Sequence, residues 1–240
     1  FTGCLLDFVY VDIATDVVKA LNMAGYIVEM PLGQACCGAP ATYMGDVENA
    51  KKAAEMNLNA MEAEKYDYIV SACPTCTHAL RDYVDFFKDD PEMLKKAEAL
   101  RSKTFDFCKL VSMLGGLPDT GDGVPMKVTY HGSCHLNRYL GVTKEQRELL
   151  KATKGVELIE MHDCDKCCGF GGSYSVKFPE MSAPILEEKI NNIVASGADV
   201  VAVDCPGCLL QIRGGLDARG LNNIQVKHTA QIVVEKREKK

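Results

Sequence analysis

The sequence predicts an α/β protein made of two tandem Rossmann-like domains with parallel sheets, related by a pseudo-twofold axis. Three observations indicate this fold: strand-like and helix-like segments alternate, the alternation occurs twice, and each copy carries the same pattern of five cysteines. An order of strand, helix, strand, helix, strand favours a parallel sheet with right-handed crossovers. We expect the first domain to span residues 1–118 and the second 124–240, with a Gly/Pro/Asp-rich linker at 115–125.

The cysteines carry the clearest repeat in the chain. Ten of the 12 cysteines form five pairs, one member in each copy, at offsets of 130 to 132 residues. The last four cysteines of the two sets would match within one position by chance about once in a thousand trials or less. Cys-Cys-Gly and Cys-Pro-x-Cys motifs recur with them, which indicates a duplicated domain. The repeated residues are Cys4, Cys36, Cys37, Cys73 and Cys76 in the first copy and Cys134, Cys167, Cys168, Cys205 and Cys208 in the second.

In the first copy, apolar periodicity predicts three helices separated by two short apolar segments at strand positions. The first helix ends at Gly25, and Asp46 is placed to cap the second. The expected elements are a helix at 13–24, the apolar run Tyr26–Met30, a helix at 47–61, a buried strand Tyr68–Ala72 and a helical stripe at 80–87.

The second copy repeats this order. Thr143 and Gln146 have the spacing of a capping box before a helix. The β-branched run Val200–Val203 is typical of a strand buried in a parallel sheet. The other expected elements are strands at 127–130 and 156–161 and a helix at 185–193 that is stopped by Gly197.

Composition excludes several classes of protein. The chain has 240 residues, a net charge of −6 and scattered basic residues, so nothing in it attracts nucleic acid. No apolar run approaches the roughly 20 residues of a membrane helix, so any membrane association is expected through a partner. No signal peptide is visible, which predicts a cytoplasmic location. Only three residues precede Cys4, whereas a strand-like run precedes Cys134, so we expect the native chain to extend upstream.

The repeated cysteines follow strands and precede helices. The carboxyl ends of parallel strands share one edge of a sheet, so five thiols should converge in each copy. Helix N-termini at that edge lower thiol pKa values and favour thiolate ligands. Soft sulfur donors select zinc, copper(I) or iron–sulfur clusters, and five thiols exceed the four that zinc or a cubane cluster accepts. Gly38, Gly169, Gly171 and Gly172 would let backbone N–H groups approach sulfide closely.

With these motifs the chain resembles the cysteine-rich CCG domains of iron–sulfur oxidoreductases. The family includes the lactate-utilisation iron–sulfur protein, the glycolate oxidase iron–sulfur subunit, the anaerobic glycerol-3-phosphate dehydrogenase small subunit and heterodisulfide reductase subunits B and D. The resemblance implies a noncubane [4Fe–4S] cluster on each complete set of five cysteines, hence two clusters, with zinc replacing one of them in some members. The first Cys-x-x-Cys is complete here, as in heterodisulfide reductase-like chains.

Two histidines near Cys134 and two cysteines outside the repeat are further candidates for function. His131 and His135 flank Cys134 and are candidate catalytic residues that would hydrogen-bond a cluster sulfide or shuttle a proton; a structural role is the alternative. Cys108 and Cys164 fall outside the repeat. We interpret Cys108 as a core residue on a helix and Cys164 as a bystander.

Three functions remain open on these grounds. The first is an iron–sulfur electron-transfer subunit that accepts electrons from a flavoprotein dehydrogenase acting on a 2-hydroxy acid such as lactate or glycolate. A ferredoxin-type iron–sulfur subunit is a further expected partner, in addition to the flavoprotein or in its place. The chain carries no recognisable nucleotide motif, so hydride chemistry would lie in that partner. The second is a heterodisulfide reductase-like subunit that reduces disulfides. The third is a zinc-stabilised interaction module.

Overall fold

The computed structural model describes residues 1–118 and 123–237. Within these ranges the chain alternates helices with short parallel strands. The helices are α1 (Gly3–Phe8), α2 (Val11–Met23), α3 (Ala39–Tyr43), α4 (Val47–Met61), α5 (Pro74–Asp82), α6 (Pro91–Lys103), α7 (Phe107–Met113), α8 (Glu145–Lys151), α9 (Tyr174–Lys177), α10 (Pro179–Ser196), α11 (Pro206–Ala218) and α12 (Thr229–Glu235). The strands are β1 (Ile69–Ser71), β2 (Thr104–Asp106), β3 (Met126–His131), β4 (Val156–Leu158), β5 (Val200–Val203) and β6 (Gln225–His228).

The strands form two parallel sheets, one in each half of the chain. In the first half β1 pairs with β2. In the second half the order is β4-β3-β5-β6, and every neighbouring pair is parallel. All four residues of β5 are buried, as expected for a central strand covered on both faces. The predicted α/β class with parallel sheets in two repeated units is confirmed.

The first half departs from the prediction at Tyr26–Met30. This segment forms no strand, and Ile27 in it is 94% exposed. Its equivalent in the second half, β4, is held by pairing with β3; among the described residues no strand of the first half lies beside Tyr26–Met30, so it has no ladder to join. A cavity of about 530 Å³ separates it from β1. Correspondingly, Cys4 lies within α1 rather than after a strand.

Helix boundaries follow local signals in most places. The backbone N–H of Asn49 donates to the Asp46 carboxylate, which caps α4 as predicted. Gly197 ends α10 with φ 67°, a conformation that glycine adopts without strain. The predicted capping box at Thr143 is wrong, because α8 begins at Glu145 and the Gln146 side chain donates back to the Val142 carbonyl.

The largest core joins the two halves. Ile13 and Leu21 of α2 are buried in the same cluster as Val201 of β5 and Val233 of α12. A smaller core around Leu100 belongs to the first half alone. The predicted domain limits stay a prediction; residues 119–122 of the expected linker and 238–240 at the end lie outside the described residues. No helix in the described ranges is long and apolar enough to cross a bilayer.

Candidate metal centre

Each Cys-x-x-Cys motif lies between a strand and a helix. Cys73 follows β1 and takes the N-cap position of α5, and Cys205 does the same between β5 and α11. A proline at the first helical position follows each, where its missing N–H costs no hydrogen bond. The second cysteine of each motif falls in the first helical turn, three residues on, so it lies on the same side as the first. Strand end and helix start together fix both thiols of each motif.

Each Cys-Cys pair is held by a glycine turn. Gly38 and Gly169 have φ 80° and 85°. The Gly169 N–H donates to the Cys167 sulfur at 3.3 Å, and the Gly38 N–H does the same for Cys36. A Cβ at Gly169 would lie 2.8 Å from the Ser182 carbonyl oxygen, so only glycine fits there.

Two of the four predicted glycines therefore place backbone donors on sulfur. Gly171 and Gly172 also have positive φ, 54° and 61°, but they form the turn that leads into α9. Their contribution is to the path of the chain, and no contact of theirs with a cysteine sulfur is seen.

The five cysteines of the first half form one connected group. The Cys4 and Cys36 sulfurs lie 4.0 Å apart. Cys37 in turn donates a hydrogen bond to Cys36, and Cys76 donates to both Cys37 and Cys73. The bonds from Cys37 and Cys4 lower the pKa of the Cys36 thiol to about 2, whereas the bond to Cys36 raises that of Cys37 to about 12. Sharing of protons between close thiols is the cause of both shifts.

The second half builds the same arrangement. Cys167, Cys168, Cys208 and Cys205 are joined in that order by hydrogen bonds between thiols. Bonds from Cys167 and then Cys208 hold the pKa of Cys168 well below its usual range. Cys134 is half-buried and lies close enough to Cys205 and Cys168 for their charges to raise its pKa, after the larger effect of its own burial. The sequence-predicted set of five converges here as well.

The two groups meet at the interface between the halves. The thiols of Cys73 and Cys205 are hydrogen-bonded to each other, and both residues are buried. The N-terminal ends of α5 and α11 therefore face one another. Sequence reasoning placed each group at its own sheet edge but did not predict this direct contact.

His131 points into the second group. It ends β3 and is 1% exposed, and a ring nitrogen lies with the Cys168 and Cys208 sulfurs in a set whose members are all within 4.8 Å of one another. A hydrogen bond from His131 contributes to the lowered pKa of Cys168, and the ring has no other hydrogen-bond partner among the described residues. An unsatisfied buried polar group costs about 1–3 kcal/mol, so this position is unfavourable unless a ligand supplies a partner.

His135 lies between the halves instead. Its Nε2 is 3.0 Å from the Tyr43 hydroxyl, and its Nδ1 is 3.4 Å from the Thr75 hydroxyl and 3.8 Å from the Cys134 sulfur. Burial lowers its pKa. The rings of His78 and Tyr139 pack beside it, at 5.7 and 5.2 Å between centroids.

Sequence reasoning missed the partners of His135. Tyr43, Thr75, His78 and Tyr139 carry no motif of their own. The available signal was position: Thr75 lies inside the first Cys-Pro-x-Cys motif and His78 two residues beyond it.

The two cysteines outside the repeat take no part in either group. Cys108 is fully buried in α7 and donates to the Asp204 carboxylate at 3.4 Å. Cys164 is half-buried and accepts from Arg147 at 3.1 Å. Both placements agree with the interpretation of a core cysteine and a bystander.

The residues present fit a thiol-bound metal or iron–sulfur group. None of the 12 cysteines forms a disulfide. Each group of five thiols is compact, and a compact set of thiolates is stable only when a cation balances their charge. Amide donors on sulfur and an imidazole whose one partner among the described residues is a cysteine point the same way.

The fold and the site together define a duplicated α/β protein that gathers thiol ligands for a metal or an iron–sulfur group at its strand ends. The cysteine-rich domain family, abbreviated CCG, matches residues 1–81 and 128–213. These ranges contain all ten repeated cysteines, and the chain belongs to this family.

Curated relatives match over nearly the whole length. Lactate utilization protein A of Shouchella clausii is 39% identical over 237 residues, which covers 98% of this chain and 98% of that protein. The proteins of the same name from Bacillus velezensis and Bacillus subtilis are 37% and 36% identical over 234 residues, with 97% of each chain covered. The resemblance predicted from the cysteine motifs is thereby confirmed.

A solved structure shows the fold at much lower identity. A hypothetical protein from Helicobacter pylori superposes with a TM-score of 0.63 at 10% identity, covering 95% of this chain and 46% of that one. The present chain thus spans about half the length of that protein. The likeness extends to the fold alone.

Proposed function

We propose that this chain is an iron–sulfur electron-transfer protein that accepts electrons from a flavoprotein partner oxidising a 2-hydroxy acid such as lactate or glycolate. The observation that carries the proposal is the convergence of ten cysteines into two touching groups of five. The names of relatives that match over 97–98% of the chain support lactate as the substrate of the whole system.

In this proposal each group of five cysteines holds one [4Fe–4S] cluster of the noncubane kind. An iron–sulfur cluster supplies a site for one-electron transfer at a potential set by its surroundings. The chain contributes the thiolates, the Gly38 and Gly169 amide donors and a buried position that limits contact with water. Zinc in one of the two groups is the alternative occupancy.

The proposed partner meets the chain where the groups reach the surface. Cys4 and Cys167 are exposed, whereas Cys37, Cys73, Cys168 and Cys205 are buried. Each group thus has one edge at the surface and its remaining thiols in the protein interior. A flavoprotein dehydrogenase, or a ferredoxin-type subunit between the two, would exchange electrons across those edges in the cytoplasm.

The experiment begins with anaerobic purification and determination of iron, acid-labile sulfide and zinc. The proposal expects about eight iron atoms per chain, a visible absorption that bleaches with dithionite, and bleaching by lactate only when the flavoprotein partner is added. Cys76→Ala and Cys208→Ala should each remove about half of the iron, and Cys108→Ala should remove none. A colourless protein that holds only zinc would refute the redox proposal.

A second candidate is a disulfide reductase of the heterodisulfide type. The contact between Cys73 and Cys205 favours it, because two centres at one interface could act on the two sulfurs of one substrate. The cavity of about 530 Å³ does not, since none of the ten repeated cysteines lines it. Reduction of a low-molecular-weight disulfide to two thiols consumes two electrons and two protons, supplied in the test by reduced methyl viologen and water. Absence of thiol release would exclude this candidate.

A further inference from the structure

The two cysteine groups have different surroundings at equivalent positions. The offset of 130 that relates Cys4 to Cys134 places Phe1 where the second half has His131. The offset of 132 that relates Cys73 to Cys205 places Asn57 where the second half has Lys189. These pairs differ in their ability to donate hydrogen bonds and in charge.

The second pair makes similar contacts, to backbone carbonyls near the Cys-Cys pair of its own half. The Asn57 side chain donates to the Cys36 carbonyl at 3.0 Å. The Lys189 ammonium donates to the carbonyls of Asp163 and Cys164 at 2.7 and 3.2 Å. Each side chain is buried on the helix that follows a Cys-Cys pair and holds the backbone that leads into that pair. One is a neutral amide and the other a cation.

The first group has a phenyl ring and a neutral amide at these positions. The Phe1 ammonium donates to the Val70 carbonyl at 2.8 Å and is close enough to Cys76 for their charges to interact. The Phe1 ring packs against the cluster of Cys37, Cys73 and Cys76. A Cβ at Gly3 would meet the Cys76 sulfur at 2.9 Å and the Phe1 ring at 3.2 Å, so ring and sulfur lie on the same side of Gly3. A phenyl ring donates no hydrogen bond to sulfur.

The second group is more electropositive. A ring nitrogen of His131 lies within 4.8 Å of the Cys168 and Cys208 sulfurs, and a hydrogen bond from His131 contributes to the lowered pKa of Cys168. The Lys189 ammonium attracts the charge of Cys164 and, next, of Cys168. The opposing groups are Asp163, Asp165 and Asp204. The Asp163 carboxylate lies 2.7 Å from the Lys166 ammonium, and the Asp165 carboxylate accepts from Asn137 at 2.8 Å. The Asp204 carboxylate accepts the Tyr130 hydroxyl at 2.7 Å and the Cys108 thiol at 3.4 Å. Donors and cations near a cluster stabilise its reduced form and raise its reduction potential.

We propose that the two centres are unequal and that His131, assisted by Lys189, makes the centre of the second half the more easily reduced one. This rests on the proposed function, since it requires a cluster in each half. When one electron is added to the pair, it resides on the second centre while the first stays oxidised. In this proposal His131 raises the reduction potential of the second centre, and only the five cysteines of that half are its ligands.

The test is a potentiometric titration of the anaerobic holoprotein followed by electron paramagnetic resonance, with dithionite as reductant. Cys76→Ala and Cys208→Ala assign each signal to one half. The wild type should show a more positive midpoint for the second centre. His131→Phe, which copies the first half, should shift that midpoint to more negative values and leave the first unmoved. Lys189→Asn should shift it in the same direction, and the exposed His162→Gln should shift neither.

The outcomes separate this inference from the proposed function. A protein without iron and sulfide would refute both. Two clusters with equal midpoints, or an unmoved midpoint in His131→Phe, would overturn the inequality alone. Loss of half the iron from a folded His131→Phe would overturn it too, because His131 would then be a ligand. If that variant fails to fold, as judged by circular dichroism, His131→Leu and His131→Gln are titrated in its place, and Gln should retain more of the wild-type midpoint than Leu.

Discussion

At the residue scale, the Cys-Cys pairs depend on one backbone conformation. Gly169 has φ 85° and faces the Ser182 carbonyl, and its N–H reaches the Cys167 sulfur. A side chain would be strained in that conformation and would also push the helix α10 away. Glycine at this position is therefore set by geometry as much as by any cofactor.

Gly169→Ala should lower the free energy of unfolding by about 1–3 kcal/mol, because both backbone strain and the 2.8 Å approach to Ser182 oppose it. Urea denaturation of the anaerobically purified protein measures the effect. Gly214→Ala is the matched control: it lies inside α11 with nothing within 4 Å of the added Cβ, and it should stabilise by about 0.5–1 kcal/mol. Equal effects of the two changes would contradict this account.

Sequence could identify the ten cysteines because their spacing repeats, but it could not rank the side chains around them. Tyr43 and Thr75 reach His135 only because the two halves pack together. His131 was one of two candidate histidines with similar positions in the sequence. Only burial and the absence of a partner other than Cys168 separate it from His135.

At the element scale, helices were predicted more reliably than strands. The stripe at Ile13, Val17 and Leu21 became α2, since a periodic apolar face defines a helix by itself. A strand needs a neighbour. β2 and β6 are short, carry polar residues and gave no signal, whereas the apolar Tyr26–Met30 gave a signal but has no ladder.

The Asp46 cap of α4 leads to a pH prediction. Hydrogen bonds from the Asn49 side chain and then its backbone N–H lower the pKa of the Asp46 carboxyl below its ordinary value. Folding thus favours the charged form, and the stabilisation is present above the ordinary carboxyl pKa and lost only as pH falls through the lowered one.

Asp46→Ala should therefore lower the thermal midpoint by an amount that stays constant between about pH 5 and pH 8, where the carboxylate is charged in both states. Thermal scans by circular dichroism across that range measure it. Asp217→Ala, at an exposed carboxylate near the end of α11, is the control and should have little effect. A difference that shrinks between pH 8 and pH 6 would contradict the cap.

At the scale of the whole molecule, the two halves are not independent. The main core draws on α2 of the first half together with β5, α11 and α12 of the second. Sequence periodicity predicted the apolar face of each helix and strand, but it did not predict which of these faces pack against each other. The shared core explains how two groups of thiols can be held in contact across the interface.

Ile13→Ala should cost about 2–5 kcal/mol and loosen both halves, because Ile13 is fully buried in the shared core. Hydrogen exchange should then accelerate at β5 as well as in α2. Leu100→Ala, in the core of the first half alone, should cost a similar amount. If Leu100→Ala accelerates hydrogen exchange at β5 as much as Ile13→Ala does, the shared core does not couple the two halves.

Metal removal tests the arrangement of all ten thiols at once. In the holoprotein, a thiol reagent should react with at most the two cysteines outside the groups, and chiefly with the half-buried Cys164, since Cys108 is fully buried. After acid removal of iron and sulfide, we expect the remaining thiols to become reactive and the thermal midpoint to fall. Full reactivity of the untreated holoprotein would be incompatible with five ligands per group.

The hydrogen bond between Cys73 and Cys205 bears on how many electrons the chain could hold at once. Oxidation of a hydroxy acid releases electrons two at a time, whereas a single cluster stores one. Because the Cys73 and Cys205 thiols are hydrogen-bonded, an electron passing between two bound centres would have a direct path through these two ligands. With one cluster in each group, as proposed, the duplicated chain would hold as many electrons as one turnover of its proposed donor releases, and it would take them up in two unequal steps.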